Sequence, residues 1–322
     1  MSKTAKMWIV VAAVLVALGM VLFAGVMTAY DWDFTKLSTI TYETNTYQVS
    51  GTFDIISIDV NTTEIEFIPT DDEDCSIVCF EAEKVKHSAT VQNGTLVINT
   101  LDTRKWYDHI GISLGTPKMT VFLPQNEYNS LFIETDTGDI TISEDFMFET
   151  LEIKGDTSDI KCYASVTNII EVEVSTGNIE VGNISAGQLN LATTTGGIKI
   201  SSATVKNNID IETDTGSVKL TDISCADFIA EGDTGTISLK NVIATEKISI
   251  ENDVGDIKFE GSDAAEIYFK TSTGDVAGTL LSEKIFITDT ATGRISVPKT
   301  TTGGKCEIKT STGDIEIAIE NF

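Results

Sequence analysis

Between Leu131 and the C-terminus, apolar and polar positions alternate in short runs, and one small phrase breaks the runs at a fixed interval. Around Gly216, Ile209 and Ile211 alternate with acids, Val218 and Leu220 alternate with polar residues, and Ile223 adds an apolar corner. The following stretch repeats the arrangement with Phe228, Ile237, Leu239 and Val242. A period of two in segments rich in Ile, Val, Thr and Phe predicts short strands with one buried face. Near Gly293 the apolar pair moves by one place, to Ile285 and Ile287, which predicts a β-bulge. No helical period occurs after residue 30.

The interrupting phrase reads TDTGDI at Thr135–Ile140 and returns as DTSDI, STGNI, TTGGI, DTGSV, DTGTI, DVGDI, STGDV, ATGRI and STGDI. Its pivots are Gly138, Ser158, Gly177, Gly196, Gly216, Gly235, Gly255, Gly274, Gly293 and Gly313, always 19 or 20 residues apart. A unit of that length without a helical segment is too short for a βαβ crossover, so successive strands must stack as coils. The fold class is therefore all-β: a single-stranded-coil β-solenoid (β-helix) of about ten 19–20-residue rungs. Glycine at the pivot supplies the positive φ of a tight corner. Threonine precedes the pivot in nine of the ten copies, and Thr135, Thr193, Thr213, Thr271, Thr290 and Thr310 stand two places earlier. Thr213 shares the parity of Ile209 and Ile211, so these threonines point inward as a hydroxyl ladder and do not form an ice-binding face.

Upstream, the pattern changes twice. From Met7 to Met27 the chain carries 21 uncharged residues, enough for a helix across a hydrocarbon core of roughly 30 Å. Lys3 and Lys6 precede it and Asp31 and Asp33 follow, which places residues 1–6 in the cytoplasm and everything after Tyr30 outside. A cleaved signal peptide fits less well, because the apolar run is long and no A-x-A site follows. Residues 28–50 read as a juxtamembrane spacer, 51–130 as a β-rich N-terminal cap section, and 131–322 as the solenoid repeats. Within the cap, Ile56, Ile58 and Val60 lead to Thr63 at the pivot place, with Ile65 and Phe67 after it, a degenerate first rung.

Composition narrows the chemistry. With 22 Lys plus Arg against 49 Asp plus Glu the formal charge is −27, and no basic cluster offsets it. The balance argues against nucleic acid and anionic lipid headgroups as ligands, while cations and basic partners fit. Cys75 and Cys79 lie four apart in a strand, about 13 Å, too far to bridge each other. Cys162 and Cys306 fall on apolar positions and read as buried thiols. His87 and His109 have no ligand-spaced partner and read as surface histidines. Corner carboxylates gather as Asp136, Asp156, Asp214, Asp233 and Asp253 before the pivot and Asp139, Asp159, Asp256, Asp275 and Asp314 after it. Calcium would suit such columns, yet Asp is also the ordinary residue of a solvated turn and the nonapeptide calcium phrase is absent. The repeats contain no tryptophan and one arginine, Arg294. No catalytic, cofactor-binding or metal residue is assigned, and no enzyme is expected.

The segments Ile56-Ser-Ile-Asp-Val60, TEIEFIPTDDED, NGTLVI, VFLPQNEYNSLFIETDTGDI and the recurring TGDI occur in an order that covers residues 51 to 322. In that order the chain resembles a bacterial family of exported β-strand-repeat proteins known as putative adhesins, a domain of unknown function. The resemblance implies a β-solenoid outside the cell and brings no active site. The expectation is a single-pass membrane protein with a structural, adhesion-like or envelope-associated binding role. Its partners would be the membrane, through the N-terminal helix, and an envelope polymer or neighbouring surface protein. The alternative is a solenoid glycosidase or lyase acting on a cell-surface polysaccharide, since two carboxylates suffice for that chemistry.

Overall fold

A computed structural model describes residues 2–34, 38–109, 113 and 115–320. It opens with α1 (Lys3–Ala29), whose first turn is capped by Ser2 as its Oγ accepts the Ala5 N–H at 3.2 Å. All of α1 is exposed or half-exposed except Met27, and its length and composition suffice to cross a membrane.

The repeats form coils whose strands stack in parallel, in register, around one continuous apolar core. One face carries the strands that run into the pivot: β8 (Glu127–Thr137), β10 (Met147–Thr157), β12 (Ser165–Thr176), the end of β13 (Ile179–Thr195), β15 (Asn208–Thr215), the ends of β16 (Val218–Thr234) and β17 (Ile237–Val254), and β19 (Glu266–Thr273). A second face carries the strands that leave it: β9 (Ile140–Ile142), β11 (Ile160–Cys162), the starts of β13, β16 and β17, β14 (Ile198–Val205), β18 (Ile257–Ser262) and β20 (Val276–Leu280). A short third face follows a corner in which Asn183, Ser202, Asp222, Asn241 and Gly261 take φ of 53–58°. It stacks Ile184 on Ala203, Ala203 on Ile223 and Ile223 on Val242.

The alternation explains the core. Ile153, Val172, Leu191, Ile211, Ala230, Ile250, Phe269 and Ile308 are register partners in one inward column, all buried. At the pivot the reason for glycine is close approach as well as φ. A β-carbon on Gly196, where φ is +153°, would stand 1.9 Å from the Gly177 carbonyl oxygen of the coil below.

Two expectations need correction. The last coils do not stack in chain order: β23 (Gly304–Thr312) and β24 (Ile315–Ile319) insert between β19 and β20 on one side and β21 (Lys284–Thr292) and β22 (Ile295–Ser296) on the other. The Ile285–Ile287 shift is not a bulge. Thr290 keeps its register with Thr310, so Phe286 and Thr288 face inward while Ile285 and Ile287 point out, 46% and 49% exposed on the terminal strand.

At the other end β2 (Ile55–Thr62) and β3 (Glu64–Thr70) stack directly on β8 and β9, so Thr63 does occupy a first-rung pivot. β6 (Thr95–Asp102) lies on β2 and β7 (Lys118–Pro124) on β3. Antiparallel strands close this end: β5 (Val85–Gln92) on β6, then β4 (Cys75–Ala82) on β7, and β1 (Tyr42–Val49) on β4. β1 arises from the stretch read as a spacer, because Tyr47 and Val49 reach the core from it.

Candidate functional site at the N-terminal cap

The corners come first, since the sequence placed its candidate ligands there. The threonines are inward, and their hydroxyls bond to carbonyls. Thr193, Thr271 and Thr310 each donate at 3.1 Å to the pivot carbonyl of the adjacent coil, from Gly177, Gly255 and Gly274. The carboxylates after the pivot form a second ladder. Asp139 Oδ1 accepts the Asp159 N–H at 3.1 Å, Asp159 Oδ1 the Asn178 N–H at 2.7 Å, and Asn178 Oδ1 the Gly197 N–H at 2.9 Å. Asp256, Asp275 and Asp314 continue it to the N–H groups of Asp275, Asp314 and Arg294 at 3.0, 2.8 and 2.8 Å. A hydrogen bond from Lys258 and then the Asp275 N–H hold the Asp256 carboxyl below its ordinary range. Asp136, Asp156, Asp214, Asp233 and Asp253, before the pivot, are exposed.

The cap holds what the sequence reading missed. His87 is 4% exposed, not a surface histidine, and Glu81 beside it is fully buried. The His87 N–H donates to Glu81 Oε2 at 2.7 Å, and ring Nδ1 lies 2.7 Å from the same oxygen. Glu81 Oε1 accepts from Tyr47 at 2.5 Å and from Asn45 at 2.8 Å, while His87 Nε2 and Thr63 Oγ1 are 3.1 Å apart. Burial alone would raise the Glu81 carboxyl, but the hydrogen bonds from Tyr47, Asn45 and His87 outweigh it and hold it below its ordinary range. Tyr47 is raised by burial and by its bond to that carboxylate. Cys79 completes a Cys79–Glu81–His87 trio whose donor atoms lie within 4.8 Å of one another. The trio has the ligand types of a transition-metal site. Glu81 accepts four hydrogen bonds within this network, and burial pushes the Cys79 thiol up to about 12. The sequence signal was parity: in β4, Cys75, Ile77, Cys79 and Glu81 share one face, so Glu81 had to be inward. The His109 side chain lies outside the described residues.

His87 and Thr63 form part of the wall of a cavity of about 490 Å³ that Thr39, Tyr42, Asp102, Asp108 and Pro117 also line. Four of its charges are paired, Arg104 with Asp102 at 2.6 Å and Lys84 with Asp108 at 2.6 Å. The Thr100 hydroxyl in its wall is buried without a partner. All five cysteines are free and buried, as the spacing of Cys75 and Cys79 and the parity of Cys162 and Cys306 required.

Among the solved structures similar to this chain, two have a TM-score of 0.50. One, from Parabacteroides distasonis and named a putative lipid binding protein, is 16% identical, with a TM-score of 0.50 over 87% of this chain and 98% of that one. The other, a putative adhesin from the same species, is 12% identical, with a TM-score of 0.50 over 85% and 98%. At such identities the likeness concerns fold alone. No curated protein matches the chain in sequence. The family description that does match spans residues 53–317, and the chain belongs to the Toastrack DUF4097 family.

Proposed function

We propose that the chain is a membrane-anchored, extracytoplasmic β-solenoid that binds an envelope polymer or a neighbouring surface protein of basic character. The observation that carries this reading is the outer face of the pivot-approaching sheet. There Glu171, Glu173, Asp210, Glu212 and Glu231 surround a shallow furrow of about 350 Å³ floored by Asn190 and Ala192. Burial first, and the neighbouring Asp227 second, raise the Asp210 carboxyl, and the row of carboxylates complements a cationic surface. The apolar α1, with Lys3 and Lys6 in its first turns and Asp31 and Asp33 after it, supports the anchor and its orientation. The names of structural neighbours, a putative adhesin and a putative lipid binding protein, agree with a surface role.

The enzyme reading finds its best locus in the cap cavity, with Glu83, Asp102 and Asp108 in the wall. The hydrogen bond from Lys84 holds Asp108 below its ordinary range, and Asp102 is bound by Arg104, whereas glycoside hydrolysis needs one carboxyl held protonated. For the cap cavity the binding reading is preferred on that ground. Its test is capture of cell-wall and membrane-protein fractions by the full chain, against a Glu171→Lys, Glu173→Lys, Glu212→Lys variant. Capture lost with an unchanged melting temperature supports it. Capture unaltered by the charge reversal, or shortening of a wall polysaccharide by the wild-type protein, overturns it.

A further inference from the structure

The cap presents its most exposed aromatic pair beside the point where the chain arrives from α1. Trp106 is 78% exposed and Tyr107 49%, their rings 5.8 Å apart and nearly perpendicular, on a single 3-10 turn from Trp106 to His109. The turn is held in place: the Lys84 ammonium meets Asp108 at 2.6 Å, Asp108 accepts the Lys105 N–H at 2.9 Å, and Arg104 is locked to Asp102. Lys105 Nζ sits 5.9 Å from the centre of the Tyr107 ring, and Leu101, 53% exposed, is the last residue but one of the strand that feeds the turn. Such a wedge of Trp, Tyr and Leu with a lysine at its side suits a bilayer interface, where an amphipathic ring keeps its polar edge wet and its body out of water.

Chain length brings the wedge to the membrane. Tyr30, Trp32 and Phe34, exposed by 40, 56 and 53%, follow the apolar helix at the level where aromatic belts sit. From Phe34 only five residues lead to Thr39, a span of at most about 18 Å when fully extended. Thr39 to Tyr42 line the cavity whose wall also includes Asp102, Arg104 and Asp108, and the Tyr42 hydroxyl lies 2.6 Å from Ser113 Oγ and donates to the Gly115 carbonyl at 3.1 Å. The wedge's side charges cancel, Glu83, Asp102 and Asp108 against Lys84, Arg104 and Lys105, so this part of a strongly acidic protein is not repelled by headgroups.

We propose that Trp106 and Tyr107 insert into the headgroup region of the bilayer that α1 crosses, seating the cap on the membrane. The inference rests on the anchor reading, and the experiment separates the two. The full chain carries three tryptophans, Trp8, Trp32 and Trp106. A Trp8→Phe, Trp32→Phe variant is placed in phosphatidylcholine vesicles and quenched with lipids brominated high on the acyl chain. Trp32→Phe, Trp106→Phe, which leaves Trp8, reports on α1. Docking predicts blue-shifted Trp106 emission, quenched by about twofold or more by bromolipid and shielded from aqueous iodide. Trp106 open to iodide and untouched by bromolipid, beside a bromolipid-quenched Trp8, overturns docking alone. An unquenched Trp8 removes the anchor and the docking together.

Discussion

Ser158 occupies the space that a side chain on Gly155 would need: a β-carbon built there stands 3.0 Å from Ser158 Oγ. Every other pivot of the ten is glycine, and three places before it stands Thr, Val, Asn or, at 232, another Gly. At Ser158 the arrangement is exchanged, the hydroxyl entering the core from the pivot itself, 2% exposed and without a partner. Gly155→Thr alone should cost about 1–3 kcal/mol by overpacking. The double change Gly155→Thr, Ser158→Gly should recover that loss, because the new hydroxyl can reach the Gly138 carbonyl as Thr193 reaches Gly177. Additive penalties in denaturant melts would contradict the exchange.

The inserted last coil can be checked by cross-linking. Lys270 and Lys309 are register partners, whereas Asp289 is the partner of Lys309 on its other side. Neighbouring strands are about 4.8 Å apart and next neighbours about 9.6 Å, so only the first distance admits a disulfide. A Lys270→Cys, Lys309→Cys pair should oxidise readily and a Lys270→Cys, Asp289→Cys pair should not. Burial pushes the thiol of Cys306, the native cysteine of that coil, up to about 12, which keeps it out of the exchange.

Much of this fold was legible because a solenoid is specified one coil at a time. Parity in Ile209, Ile211, Val218 and Leu220 dictates which side chains are inward, and stacking repeats the decision at every coil. What the sequence does not carry is the order in which near-identical coils stack. Gly274 and Gly313 sit in the same phrase, so nothing local says that Gly313 will lie on Gly274 rather than on Gly293 alone. The cap network was hidden differently. Tyr47, Thr63, Glu81 and His87 come from four strands, and single-strand alternation flags Glu81 as inward without naming its partners.

Across the terminal strand β21 and the strand β23 it lies on, the reading of faces has a sharp consequence. Ile308→Lys places a charge in the inward column at a fully buried position and should cost several kcal/mol. Ile287→Lys, on the outer face, should change stability by no more than about 0.5 kcal/mol. Equal losses in thermal melts would restore the bulge and reverse the two faces.

Acid should act on the cap through Glu81. Because the fold holds this carboxyl below its ordinary value of 4.5, its contribution is complete above that pH and drains away as the pH falls through the lower folded value. Glu81→Gln keeps the shape but turns an amide toward the His87 donors, and should cost about 1–3 kcal/mol at neutral pH. The gap between wild type and variant, followed by urea unfolding, should be flat from pH 8 to about 5 and narrow below about 4.5. A gap that widens on acidification would mean that Glu81 is neutral in the folded protein.

The acidic corners allow the last test, between a backbone ladder and a cation site. In the ladder Asp275 matters as an acceptor: its Oδ1 takes the Asp314 N–H at 2.8 Å and its own N–H reaches Asp256. Asparagine offers the same acceptor without the charge, as Asn178 already does between Asp159 and Gly197. Asp275→Asn should therefore be nearly neutral and Asp275→Ala should cost about 1 kcal/mol. Calcium sites would reverse the expectation for asparagine, since a hard cation is bound through carboxylate charge. They would also raise folded stability by about 2.7 kcal/mol at a hundredfold excess of ligand over Kd. We expect calcium and sodium at matched ionic strength to move the melting temperature equally, by screening the repulsion among stacked carboxylates. A saturable rise with millimolar calcium, absent with sodium and lost in Asp275→Asn, would make the corners a cation-binding edge.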